Sequence, residues 1–485
     1  MKRPNIFVYM IDTARQRNMS CYGYHRPTTP QISRIAKEGA IFDNHFVVGC
    51  WSLPSQVSFL TGKHLCGHGC GVQYQFLEPG VPTLAEVLNR HGYHTAAIQP
   101  NPWVQQDEGN CMRGFTEFHR PGKGLSPSKD RQAAEMAPVP PYVPVQGESD
   151  TGMCWRMVGW VEDWLEKNAK SKKPWMLFAL TGETHMKCWP PRKYREQFLP
   201  PGFPDEEAAK VPQDQFGGTA GMRKLTAAQW EIVRCLRDGA MAYVDNAIGE
   251  IFNNMRKRRL LNDTIFIVTS DHGDSHGEHG FHTAHCQTGL WDTMLHTPLV
   301  MRYPKRIPAR TRVQHLAANI DVMPTLLELC GIDDEEANQH MHGASLLKAI
   351  DGQPVRDFAM AELQKPLEPM HLTARDYPGF DYRVYNRRMK AARTLEWKYI
   401  WTSDARDELY HVASDPDEQK NVIRERPDVA EELRLKMENL LLSLDQRDFG
   451  DQLKHTGHVK VDPEVERRLA AWGIYRRIIG APKKL

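Results

Sequence analysis

The chain reads as an α/β protein built on a mostly parallel sheet, with a smaller α+β region at its C-terminal end. Residues 5–11, 93–98, 175–180 and 264–269 are apolar runs bounded by polar or turn residues, as expected of parallel strands covered on both faces. Helical patterns such as 83–91 and 230–256 lie between them, and this alternation is that of an α/β sandwich. The third observation is one of placement. Asp12, Asn101, His185 and the pair Asp271-His272 each follow one of the four runs. Functional groups in such sheets gather beyond the carboxyl ends of the strands.

A chain of 485 residues, 41% hydrophobic and 25% charged, suits one large domain and a smaller one. The boundary is expected near 355, giving a catalytic unit over 1–355 and an α+β unit over 356–485. In the second unit, 393–401 and 408–411 read as hairpin strands and 428–444 as an amphipathic helix. Segments 104–150 and 198–220, rich in proline, glycine and charge, read as long surface loops.

A net charge of +2 gives no electrostatic case for a nucleic-acid partner, and the basic run 256–259 reads as a solvated helix end. No apolar run reaches the roughly 18 residues that span a membrane. The N-terminus leads straight into a strand without a secretory apolar segment, so a cytoplasmic location with reduced cysteines is expected. Cys66 and Cys70 among His64 and His68 match no common zinc spacing. No internal repeat is visible.

The stretch from Trp51 to Gly62 combines Ser52, Pro54, an apolar helical run and a closing Thr61-Gly62. Pro54 is expected at the first helical position, which puts the Ser52 hydroxyl at a helix N-terminus where free N–H groups and the dipole favour an anion. The bland alternative is a serine that only caps its helix. Segment 270–280 follows a strand and is dense in Asp, Glu and His, with glycines that let Asp271 and His272 turn into one site. Together with Asp12 they form a set of carboxylates plus one imidazole, suited to a hard or borderline divalent cation.

Taken together, these motifs resemble the sulfatase family of the alkaline phosphatase superfamily. Ser52, Pro54, Ser55 and Leu60-Thr61-Gly62 match its signature, in which a Cys or Ser precedes Pro-Ser-Arg. The opening run to Asp12, the later Cys21-Tyr22-Gly23-Tyr24, the segment Asp271-His272-Gly273, and Asp415 to Glu418 with Asn421 extend the likeness from about residue 4 to 425. Three positions depart from it. Thr13 stands where many members have a second aspartate, as in a subgroup that includes phosphonate monoester hydrolases; Gln56 replaces the arginine, and Lys63 stands where an arginine often follows.

The resemblance implies an alkaline-phosphatase-like sandwich and one divalent ion held by Asp12, Asp271, His272 and Ser52. Calcium is the first expectation, with manganese or zinc as alternatives. It further implies Ser52, or a formylglycine formed from it, as nucleophile, with His185 and His285 serving the substrate and leaving group. Gln56, Asn101 and Lys187 are candidate substrate contacts, while His276, His279 and His282 are pocket or outlying residues. Asp238 and Asp245 lack a histidine four residues on, which favours one metal over two.

In most members the nucleophile is oxidised to formylglycine, and the arginine belongs to the signature that the maturation system reads. Gln56 therefore argues for an unmodified serine. The expected activity is hydrolysis of a small-molecule or saccharide sulfate ester or a similar phospho-ester. A phosphodiesterase or phosphonate monoesterase with unmodified serine, a transferase using the same serine, and a catalytically inactive binding protein are the alternatives. The sequence leaves a homo-oligomer open.

Overall fold

The computed structural model describes residues 3–72, 74–101, 103–104, 109–119, 153–185, 188–213, 224–280, 288–366, 373–375 and 377–445. The strands β1 (Asn5–Ile11), β2 (Ala40–Phe46), β3 (His94–Ile98), β4 (Glu117–His119), β5 (Trp175–Thr181), β6 (Thr264–Ser270), β7 (Leu299–Arg302) and β8 (Thr311–Ala318) form one sheet. Their order is β4-β3-β5-β1-β6-β7-β2-β8. Every pairing is parallel except the two made by β7, so the expected mostly parallel sheet is present.

Every residue of β1 is buried, because the sheet is covered on both sides. Ile6, Val8 and Met10 pack into one core with Leu53, Val57, Phe59 and Leu60 of the helix Ser52–Thr61. Phe7, Tyr9 and Ile11 point the other way, against Tyr243, Val244, Ala247 and Ile248 of the long helix Ala227–Lys257. The side-chain period of two along a strand thus sorts one apolar run between two layers. No helix among the described residues is long and apolar enough to cross a membrane.

The helix Ser52–Thr61 is buried at all ten positions. Its N-cap is Trp51, and Pro54 is the third helical residue rather than the first. Proline is tolerated there because N–H groups of the first turn have no intrahelical partner. The helix ends at Gly62, whose φ of 65° is the left-handed C-cap geometry that glycine adopts without a Cβ clash.

A second, antiparallel sheet contains β9 (Ala359–Leu363), β10 (Met389–Arg393), β11 (Lys398–Thr402) and β12 (Glu408–Tyr410), in the order β12-β11-β10-β9. The helix Pro427–Ser443 covers it, with Val429, Ala430, Leu433 and Met437 against Met360, Ala392, Tyr399 and Leu409. Residues 393–401 are not one strand: Arg393 ends β10, and the Thr394 N–H donates to the Trp397 carbonyl at 2.9 Å to close a turn before β11. Part of the 198–220 stretch is helical, at Asp205–Lys210.

Strand β9 also braces the segment just before the Ser52 helix. The Glu362 amide donates to the Val48 carbonyl at 2.9 Å, and the Glu362 carboxylate accepts from the Cys66 amide at 2.9 Å and pairs with Lys390. Burial opposes ionisation of Glu362, but Lys390, His64 and the Cys66 amide hold its carboxyl down to about 2. A depressed carboxyl stabilises the fold above its unfolded pKa and loses that contribution as pH falls towards its folded value. Glu362→Gln is therefore expected to cost ~3 kcal/mol at pH 7. The gap to the parent should close as pH falls from about 4.5 towards about 2. Urea unfolding at a series of pH values measures this, and a gap independent of pH contradicts it.

Candidate active site

Strands β3, β5, β1 and β6 are parallel neighbours, so their C-terminal ends open on one edge of the sheet. Asp12 leaves β1 there and Asp271-His272 leaves β6, and all three side chains are fully buried. One ligand atom from each lies within 4.8 Å of the others. His272 Nε2 stands 3.6 Å from Asp12 Oδ1 and 3.9 Å from Asp271 Oδ1. Burial and then the Asp12 carboxylate push the Asp271 carboxyl up to about 6. His272 is also raised: burial opposes its charge, but Asp271 and Asp12 outweigh it.

Ser52 completes the cluster. Its Oγ lies 3.2 Å from His272 Nε2. The ring's other nitrogen, Nδ1, is 2.7 Å from the Gly273 carbonyl, which can only accept, so Nδ1 carries a proton. In the neutral ring Nε2 then presents its lone pair towards Ser52 and the carboxylates. The Ser52 side chain does not cap the helix that it begins, which removes the bland reading of this serine.

The backbone around these groups is tightly constrained. At Gly273 a Cβ would stand 2.1 Å from the Thr293 carbonyl oxygen, so only glycine lets the segment after His272 pass. Thr13 holds φ at 65°, a left-handed conformation that costs a non-glycine residue about 1 kcal/mol. That geometry turns its N–H to Asp271 Oδ1 at 3.2 Å while its hydroxyl donates to Asp12 Oδ1 at 2.7 Å. Asn319 pins the segment that carries Ser52 by donating to the Ser55 carbonyl at 2.9 Å and accepting from the Val48 amide at 3.1 Å. Ser55 Oγ donates in turn to the Asp271 carbonyl.

Gln56 and Asn101 both reach the cluster, by way of its carboxylates. Gln56 Nε2 donates to Asp271 Oδ2 at 2.7 Å, and Asn101 Nδ2 donates to Asp12 Oδ2 at 3.2 Å. His185 is buried beyond β5, next to Thr184, whose hydroxyl donates to the Asp12 carbonyl. Lys187, His282 and His285 lie outside the described residues. His279 stacks on Trp291 with ring centroids 3.9 Å apart, and burial pushes its imidazole down to about 4. The buried His276 is held through its amide by Glu278.

Asp238 and Asp245 serve the fold. Asp238 pairs with Arg26 at 2.7 Å, while Asp245 accepts the Gln31 and Ile32 amides at 2.9 and 2.8 Å at the start of the helix Pro30–Ala36. Asp12, Asp271 and His272 are the one such metal-competent group among the described residues, so His64, Cys66, His68 and Cys70 do not form a second. His68 Nε2 instead lies 2.9 Å from Ser58 Oγ. Sequence reasoning missed Gln99, Thr184 and Asn319; Gln99 follows Ile98 directly at a strand end, which was the available signal.

The family described as Sulfatase matches residues 4–332, and the family described as N-sulphoglucosamine sulphohydrolase, C-terminal, matches 277–447. The chain belongs to the sulfatase family. As a sulfatase-family protein it belongs to a class of sulfuric ester hydrolases. An N-acetylglucosamine-6-O-sulfatase of Bacteroides thetaiotaomicron is 25% identical, over 87% of this chain and 83% of its own length. A choline-sulfatase of Rhizobium meliloti is 23% identical, over 87% and 82%. Among solved structures, a phosphonate monoester hydrolase of Agrobacterium radiobacter superposes with a TM-score of 0.69 at 20% identity, covering 91% of this chain and 96% of that one. A protein solved with its substrate D-glucosamine-2-N,6-O-disulfate superposes with a TM-score of 0.66 at 21% identity, covering 95% and 100%. The sandwich fold is thus that of alkaline-phosphatase-like sulfatases.

Sulfatases use a metal ion, and the residues present fit one. Two wholly buried carboxylates face each other with one imidazole as their ion-pair partner within 4.0 Å among the described residues. The raised Asp271 and His272 are the electrostatic sign of a pocket short of positive charge.

Proposed function

We propose that the protein hydrolyses a sulfate ester of a small molecule or saccharide, with unmodified Ser52 as nucleophile and a divalent cation held by Asp12, Asp271, His272 and Ser52. The observation that carries this is the Ser52 hydroxyl, 3.2 Å from His272 Nε2 at the buried end of its helix and not used as a cap. Oxygen ligands with one imidazole suit calcium, with manganese or zinc as alternatives. When bound, such an ion draws charge from the ester's non-bridging oxygens and lowers the pKa of the serine hydroxyl.

Ser52 releases its hydroxyl proton to solvent, its Oγ attacks the sulfur in line, the bond to the leaving alcohol breaks, and a covalent ester remains on the serine. Free N–H groups in the first turn of the Ser52 helix favour the negative charge gathering on the group under attack. His185 is the proton donor to the leaving alcohol, and His285 is a second candidate carried over from the family pattern. Water then hydrolyses the ester and frees Ser52.

A phosphate or phosphonate ester is the second reading, and Gln56 favours it. The formylglycine signature carries an arginine at this position, and a plain serine ester is the intermediate of phosphate-cleaving relatives. Assay of the purified protein against paired aryl sulfates, phosphates and phosphonates decides between the readings. Chelation is expected to abolish turnover of the preferred ester, and added calcium or manganese to restore it. Retained metal binding with no turnover of any ester would mean a binding protein.

A further inference from the structure

Three neutral amides link the two carboxylates of the cluster. Gln56 Nε2 donates to Asp271 Oδ2 at 2.7 Å, and Gln99 Nε2 donates to Gln56 Oε1 at 2.7 Å. Gln99 Oε1 accepts from the Asn101 backbone N–H at 3.0 Å, and Asn101 Nδ2 donates to Asp12 Oδ2 at 3.2 Å. Asn101 Oδ1 accepts from the Trp103 backbone N–H at 3.0 Å. Gln56, Gln99 and Asn101 are 0%, 1% and 2% exposed.

The direction of this chain is set at both ends by groups that cannot reverse. A backbone N–H only donates, so Gln99 must turn its oxygen to Asn101 and its NH2 to Gln56. Gln56 must then turn its own NH2 to Asp271, whose ionised carboxylate only accepts. The Trp103 amide fixes Asn101 in the same way, with its NH2 towards Asp12. Each link is buried, so a reversed amide would leave donor against donor with no water to repair it.

We propose that Gln56, Gln99 and Asn101 form a neutral positioning relay that orients Asp271 and Asp12 for the divalent cation, with Gln99, which touches neither carboxylate, as its polarity-setting member. The inference rests on the proposed metal site. A cationic side chain at residue 56 would orient Asp271 equally well but would cancel part of the charge that attracts the ion. The amides supply donors and leave both negative charges to the cation. Outlying partners of metal ligands commonly affect metal affinity by ~10–100-fold, which sets the size of the expected effect.

Isothermal titration of the full chain with Ca2+ and with Mn2+ tests the relay. Gln99→Leu, which keeps the bulk and removes both hydrogen bonds, is expected to weaken binding ~10-fold or more. Turnover should fall at limiting metal and recover largely at saturating metal. Gln56→Lys, which keeps a donor to Asp271 but adds a charge, should also bind the ions more weakly than the parent. Gln56→Met covers the case in which Gln99→Leu does not fold, and the same weakening is expected. Unchanged affinity in folded Gln99→Leu, or in Gln56→Met if the first fails to fold, overturns the relay; so does Gln56→Lys binding as tightly as the parent. Asp271→Asn separates the two levels. If the parent binds neither ion, or if Asp271→Asn binds as tightly as the parent, the metal site itself is wrong. If Asp271→Asn abolishes binding and the amide variants do not weaken it, only the relay is wrong.

Discussion

Ser52→Ala is expected to lower kcat on the preferred ester by roughly 10^3-fold or more while the protein stays folded, because a nucleophile has no substitute in a covalent route. The change removes one hydroxyl at the first position of a buried helix and leaves Trp51 as its N-cap. No helix cap is lost, so the melting temperature should shift little. Steady-state assays on aryl sulfate, phosphate and phosphonate check the expectation together with a thermal melt. Activity persisting in the folded variant would remove Ser52 from the chemistry on whichever ester is turned over.

The second large effect is expected at Asp271. Its Oδ2 accepts from Gln56, and its Oδ1 accepts from the Thr13 and His272 amides at 3.2 and 2.9 Å. Asp271→Asn is nearly isosteric, but its NH2 must face one of those three donors. It also removes one of the two buried negative charges. Metal affinity is expected to fall by at least ~100-fold, and activity should not return at saturating metal. Calorimetric titration with Ca2+ or Mn2+ and an activity assay across metal concentration measure both. Parent-like affinity would exclude Asp271 as a ligand.

Legibility in the sequence followed burial. Strands β1, β3, β5 and β6 lie inside the sheet and are buried on both faces at nearly every position, so each is a continuous apolar run. Strand β8 is an edge strand whose burial alternates with exposure over Arg312–Gln314, and Asp43 and Asn44 interrupt β2, so neither left such a run. β7 has only four residues, too few for a pattern. The positions of Asp12, Asn101, His185 and Asp271-His272 were readable because strand ends are local features.

What joins them was not readable. Gln99 acts across 43 residues of sequence on Gln56, and Asn319 acts across 264 on Ser55. Ordinary amide side chains carry no mark of such contacts until the chain is folded. The same holds for Asp238 and Asp245, whose partners are Arg26 and the amides that begin the helix Pro30–Ala36. Gln56 was legible as a departure from the family signature, but its commitment to Asp271 required the fold.

The most direct measurement is the mass of the peptide containing residue 52, taken from the resting protein and from protein quenched in acid during turnover. The account predicts plain serine at residue 52 in the resting protein, and serine carrying the transferred sulfuryl or phosphoryl group after the quench. Formylglycine in the resting protein, or an adduct found on a different residue, would contradict it.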